Sequence, residues 1–206
     1  MNKLWIFGDS FSSDFDIKYS HQNHIDYMNL MDVNEMIHWP TILANKLNYK
    51  LVNLAKGGNS NYQIFFNLCE NINQIEENDI ILIGWALIGK FIIADNNQFS
   101  NIHPHGLYFH APISSSSIVE INENRKNQIW VNEVRYWEKL IKEFIKLKNC
   151  KIIFWSGEED KLKSINIDVT KCETMRSETD NNVQDSHLGN LGHNTLAEIF
   201  YKELSI

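Results

Sequence analysis

The run DIILIGWALIG (Asp79–Gly89) constrains the fold more than any other part of the chain. Its apolar residues do not alternate with polar ones, so a strand here must be covered on both faces, as in a parallel sheet flanked by helices. KLWIF (Lys3–Phe7), KLVNLA (Lys50–Ala55) and KIIFW (Lys151–Trp155) are runs of the same kind. Between them the apolar spacing is helical. WPTILANKLN puts Trp39, Ile42, Leu43 and Leu47 on one face, with Pro40 at a first-turn position. After Asn61, residues Ile64, Phe65, Leu68, Ile72 and Ile75 keep helical steps. In QIWVNEVRYWEKLIKEFIKLKN, residues Trp130, Val134, Trp137, Ile141 and Phe144 recur likewise, and the second half of DSHLGNLGHNTLAEIFYKEL predicts a terminal helix. Alternation of this kind predicts one α/β domain over residues 1–206. The stretches 12–38 and 94–127 have no clean period and are expected to be long loop insertions.

A chain of 206 residues, 43% hydrophobic and 22% charged, is long enough to bury a core. Its net charge of −7 and the lack of a basic cluster argue against a nucleic-acid partner; KEFIKLKNCK (142–151) reads as the wet face of a helix. No segment approaches the ~20 apolar residues that span a bilayer, so no membrane partner is expected. The apolar part of MNKLWIFGDS is too short for a signal peptide, and the 3 cysteines (Cys69, Cys150, Cys172) form no CxxC pair. A cytoplasmic protein with reduced thiols is the expectation. His103, His105 and His110 cluster in HPHGLYFH without a carboxylate or cysteine at ligand spacing, so neither a metal nor any other cofactor is expected. Phosphate-cradling GxxxxGK[ST] and GxGxxG motifs are absent from the sequence.

In a parallel sheet, ligands bind beyond the carboxyl ends of the strands. Ser10, Gly58, Trp85 and Gly157 all fall at or just after those ends. A serine in IFGDSFSSD is by itself only a turn residue. QDSHLGNLGH, however, places Asp185 and His187 two apart before the last helix. A serine hydroxyl needs a base to take its proton, and the base needs an acid to hold its tautomer. In an extended segment Asp185 and His187 share a face and supply both.

IFGDSFS, NLAKGGNSN and DSHLGNLGH resemble, in order, the sequence blocks of the SGNH/GDSL hydrolases. The resemblance implies a three-layer α/β/α sandwich with a flavodoxin-like parallel sheet and a Ser-His-Asp triad. Ser10 is then the nucleophile, His187 the general base and Asp185 its orienting acid. The backbone N–H groups of Ser10 and Gly58 form the oxyanion hole, Gly57 lets the turn form, and His193 packs at the helix start. Asp9 bonds the turn around the serine and is, with Asn59 and Trp85, a candidate for substrate contact. The third block departs from the pattern: GWALIGK puts Ala86 where the family carries an oxyanion-binding Asn, so either Asn61, the favoured residue, or Asn59 supplies that donor, or the hole has two backbone donors only. In this the chain resembles members with a Gly-Trp segment there. The acid spacing departs too, since Gln184 stands three before His187. The implied activity is hydrolysis of a small acyl ester, such as an acetyl ester, on a small molecule or glycan. The aromatic and carboxamide residues of 12–38 suit a sugar. An O-acyltransferase and a catalytically silent binding module are the rival readings.

Overall fold

The structure, a computed structural model, describes residues 1–14, 36–86, 91–95, 98–102, 123–156, 165–166 and 188–205. Its elements are β1 (Lys3–Phe7), α1 (Trp39–Leu47), β2 (Lys50–Asn53), α2 (Asn61–Asn71), β3 (Ile80–Trp85), β4 (Phe91–Asp95), β5 (Gln98–Ile102), α3 (Glu123–Leu147), β6 (Lys151–Ser156), β7 (Ile165–Asn166) and α4 (Asn190–Leu204). The main sheet runs β2-β1-β3-β6-β7, and every neighbouring pair is parallel. That is the doubly wound, flavodoxin-like order.

Parallel register places Leu4 beside Ile80, Ile6 beside Leu82, and Leu82 beside Ile153. With Trp155 these side chains form one face of the sheet and pack against Trp39, Leu43 and Ala44 of α1 and Leu196, Ala197 and Phe200 of α4. The other residues of the same strands, Trp5, Phe7, Ile81, Ile83, Trp85 and Phe154, meet Ile64 and Leu68 of α2 and Val134, Ile141 and Ile145 of α3. β3 is buried along its whole length, as its unbroken apolar run requires. The result is a three-layer α/β/α sandwich.

Local signals bound the helices. Pro40 stands in the first turn of α1, which closes at Asn48 in the left-handed region (φ 56°). Ser60 and Gln63 form a reciprocal capping box at the start of α2. At the amino ends of the strands, the buried Asp79 carboxylate accepts the Lys3 N–H (2.8 Å), the Trp5 indole N–H (2.8 Å) and the Glu76 N–H (3.0 Å), tying β1 to β3.

Several expectations change. Residues 94–95 and 98–102 are not irregular: they belong to β4 and β5, which pair antiparallel as a separate two-stranded sheet. α3 starts at Glu123, ahead of the Gln128 expected, and α2 stops at Asn71, where a 3-10 turn (Ile72–Gln74) carries Ile75 into the core off the helix. β2 ends at Asn53, whose side-chain oxygen accepts the Ala55 N–H (3.1 Å) and takes over from the ladder. Among the described residues no helix is long and apolar enough to cross a membrane.

Candidate active site

Ser10 lies in a tight turn directly beyond β1 and is half-buried. The turn is held from within. The Asp9 carbonyl accepts the N–H groups of Ser12 and Ser13 (3.0 Å each), and the Asp9 carboxylate, 3% exposed, accepts the Phe11 N–H at 3.1 Å. Gly8 has to be glycine: a Cβ there would stand 2.7 Å from Ser12 Oγ. The turn is also tied to its surroundings. Asn53 at the end of β2 donates through Nδ2 to the Ser12 carbonyl (3.0 Å), and His38 Nδ1 donates to the Ser13 carbonyl (2.9 Å).

The segment after β2 faces this turn. Lys56, Gly57 and Gly58 are exposed, and a Cβ built on Gly57 would lie 3.9 Å from the Cβ of Ser10. Gly58 is the residue in left-handed conformation (φ +82°), so it is Gly58, rather than Gly57, whose lack of a side chain lets the chain turn. Among the described residues the backbone N–H groups of Ser10, Gly57 and Gly58 meet no acceptor. Unpaired N–H groups on two facing turns are the elements of an anion-binding hole.

The two asparagines of this segment both bond to backbone groups. Asn59 is buried and donates through Nδ2 to the Gly8 carbonyl (3.0 Å), bracing the turn that carries Ser10. Asn61, 1% exposed, accepts the Ala86 N–H at 2.6 Å through Oδ1 and donates to the Ala86 carbonyl at 3.4 Å. Its amide thereby meets the backbone at the exit of β3 through both its oxygen and its nitrogen. The expectation for Trp85 is corrected. It is a core residue, 3% exposed, stacked on Phe154 and packed against Trp137, with its indole N–H on Glu138 of α3 (2.9 Å). Asp9 uses one carboxylate oxygen, Oδ1, within the turn.

Asp185 and His187 lie outside the described residues, as do the insertion residues 15–35, His103, His105, His110, Gly157 and Cys172. The chain is described again at Leu188, which is buried in the same apolar cluster that Phe11 packs against. One fully buried side chain joins the two regions. Trp39 donates its indole N–H to the Phe11 carbonyl (2.8 Å) and its backbone N–H to Nδ1 of His193 in the first turn of α4 (3.3 Å). His193, 5% exposed, stacks on His38 with ring centres 4.6 Å apart. Nδ1 of His193 is thus the acceptor in this contact. The roles of Trp39, Asn53 and Glu138 were not apparent in the sequence: helical spacing assigns Trp39 to a face but says nothing of what its indole N–H meets.

Burial raises the Glu138 carboxyl above its ordinary range, against the lowering effects of the Trp85 hydrogen bond and the Lys142 and Arg135 charges. Partial burial also raises the thiols of Cys69 and Cys150 above their ordinary range. Among the described residues, no group of His, Cys, Asp and Glu is arranged to hold a metal ion.

No protein-family model matches the sequence, and no curated protein matches it. Solved structures do match. A protein assigned to the lipolytic G-D-S-L family from Desulfitobacterium hafniense DCB-2 superposes over 98% of this chain and 99% of its own, with a TM-score of 0.51 at 9% identity. A Bacillus subtilis protein superposes over 99% of this chain with a TM-score of 0.54 at 13% identity, and this chain spans 56% of that one. An acetyl xylan esterase from the rumen bacterium Butyrivibrio proteoclasticus matches more loosely, with a TM-score of 0.47 at 12% identity over 98% of this chain and 63% of that one. Strand order, the two helical layers and the superposition over nearly both whole chains give one conclusion: this chain has the fold of the G-D-S-L lipolytic proteins, the SGNH/GDSL hydrolases.

Proposed function

We propose that the chain is a serine esterase that removes a small acyl group, such as acetyl, from an ester carried by a small molecule or glycan. The observation that carries this reading is Ser10 itself. It is a partly exposed serine at the carboxyl end of β1, facing a glycine turn whose N–H groups, like its own, meet no acceptor among the described residues. In this reading His187 takes the proton from Ser10 Oγ as Oγ attacks the ester carbonyl, and Asp185 holds the His187 tautomer. The negative oxygen of the tetrahedral intermediate sits on the N–H groups of Ser10 and Gly58. His187 then protonates the departing alcohol, and water, deprotonated by the same imidazole, releases the acyl group from Ser10. The Trp39 bridge between the Ser10 turn and the first turn of α4 supports the assignment, because His187 stands three residues ahead of that helix.

In this reading Ala86 brings no donor and the Asn61 amide is engaged by the Ala86 backbone, so the hole rests on its backbone donors. Losing one donor of such a set typically costs on the order of 10²–10³ in rate, so a backbone-only hole still leaves substantial catalysis. Ala86, which brings no donor, is also the observation that favours a binding module without turnover. Hydrolysis of p-nitrophenyl acetate by the wild type beside Ser10→Ala separates the two. Turnover abolished by the substitution supports the esterase. Equal turnover in both proteins removes Ser10 as nucleophile.

A further inference from the structure

We infer that Gly57 is a specificity-determining residue: its missing side chain leaves the space beside Ser10 that the acyl group of the ester occupies. The inference rests on the esterase reading above and names a feature of its substrate.

A glycine in a turn is usually explained by its backbone, but Gly57 is not. The left-handed residue here is Gly58, and the φ of Gly57 is one that any residue adopts. Crowding does not explain it either. A Cβ on Gly8 or Gly84 would stand 2.7 Å from a neighbouring side-chain atom, whereas a Cβ on Gly57 meets, among the described residues, only Ser10 Cβ at 3.9 Å, an ordinary contact. Among the described residues, then, neither strain nor packing requires glycine at this position. What the absent side chain does is leave bare the flank of Ser10 that faces the exit of β2. Gly57 is exposed, so that flank opens to solvent and to an incoming ester, not to the core.

When Ser10 Oγ attacks a carbonyl, three groups radiate from the new tetrahedral carbon. The oxyanion turns to the N–H groups of Ser10 and Gly58, and the leaving oxygen turns to the base that protonates it. The acyl substituent takes the direction left over, along the bare flank at Gly57. A methyl group at position 57 narrows that space, and an isopropyl group fills it.

The test measures kcat/KM for p-nitrophenyl acetate, butyrate and hexanoate with wild type, Gly57→Ala and Gly57→Val, alongside thermal unfolding of each protein. The leaving group is constant, so a change in the ratio between esters reports on the acyl side alone. The acetate-to-hexanoate ratio is expected to rise roughly tenfold in Gly57→Val and by less in Gly57→Ala, since one methylene gained or lost in an apolar contact is worth on that order. Gly57→Ala is expected to unfold no earlier than wild type, because its backbone accepts a side chain without strain. Equal losses across the three esters would overturn the inference, as would unchanged ratios, or losses that follow only the alcohol in a parallel series of acetates. Those results leave the esterase reading standing if Ser10→Ala is inactive. A fully active Ser10→Ala protein brings down both.

Discussion

Asp79 provides a severe test of how the sheet is assembled. Its carboxylate is buried and accepts three donors: the Lys3 N–H, the Trp5 indole N–H and the Glu76 N–H. In Asp79→Ala all three lose their acceptor. The Trp5 indole N–H is buried and finds no substitute, a penalty of about 1–3 kcal/mol. The two backbone N–H groups are only part-buried and recover some water, so each loses about 0.5–1.5 kcal/mol. The expected destabilisation is therefore about 4 kcal/mol, a large share of the ~5–15 kcal/mol that keeps a domain folded. In urea, with a slope of about 3 kcal/mol per molar for a chain of this size, the midpoint falls by roughly 1.3 M. Asp79→Asn keeps one acceptor oxygen but turns an NH₂ toward a donor, so its midpoint falls between those of wild type and Asp79→Ala. The assay is equilibrium urea unfolding followed by tryptophan fluorescence. A loss below about 1 kcal/mol for Asp79→Ala would refute the reasoning, since it would mean that the three donors are readily satisfied elsewhere.

Further expectations follow from the same contacts. Gly84→Ala places a Cβ 2.7 Å from the buried Trp155 ring, which is held by Trp39 and Phe200, so it should cost about 1–3 kcal/mol or more, measured by thermal unfolding. Asn61→Ala leaves the Ala86 N–H buried without its acceptor and should cost about 1–3 kcal/mol, whereas Asn61→Asp, which retains an acceptor, should lose less in the same assay. The raised Glu138 carboxyl keeps its proton to a higher pH in the folded than in the unfolded chain. Its contribution is therefore largest below the unfolded carboxyl pKa and declines as pH rises through the folded value. Glu138→Gln keeps an acceptor for Trp85 and removes that decline, so urea midpoints at about pH 4 and pH 7 should favour the variant more at the higher pH, by the sign of this linkage. A variant favoured more at the lower pH contradicts it.

The sheet was legible because continuous apolar runs admit few placements. Ile80–Trp85 is buried on both faces, and its neighbours in register repeat the pattern. The β4–β5 hairpin was legible in principle: FIIAD and QFSNI are separated in sequence by Asn96 and Asn97, a spacing of the two-residue hairpin kind. It escaped notice because its apolar half follows closely on the β3 run. The capping box of Ser60 and Gln63, which bounds the start of α2, was not among the expectations. Asn61 shows the opposite limit. A carboxamide in a glycine-rich turn advertises a hydrogen-bonding group but not its direction, and here a partner 25 residues away, Ala86, takes both ends of it. Trp39 is similar: periodicity buries it, while its bonds to Phe11 and His193 depend on three segments meeting in space. Around Ser10, the motif identified the serine and the facing glycines, and the geometry added what residue types alone do not carry, namely which N–H groups meet no acceptor.

The most direct measurement is covalent labelling of the native protein with a fluorophosphonate, followed by intact-mass and peptide mass spectrometry. This reagent reports an activated serine without requiring the right ester. A single adduct on Ser10, lost in His187→Ala while that variant remains folded, is the result the account predicts. Stable absence of an adduct on Ser10, or an adduct at another serine with Ser10 unmodified, would contradict it.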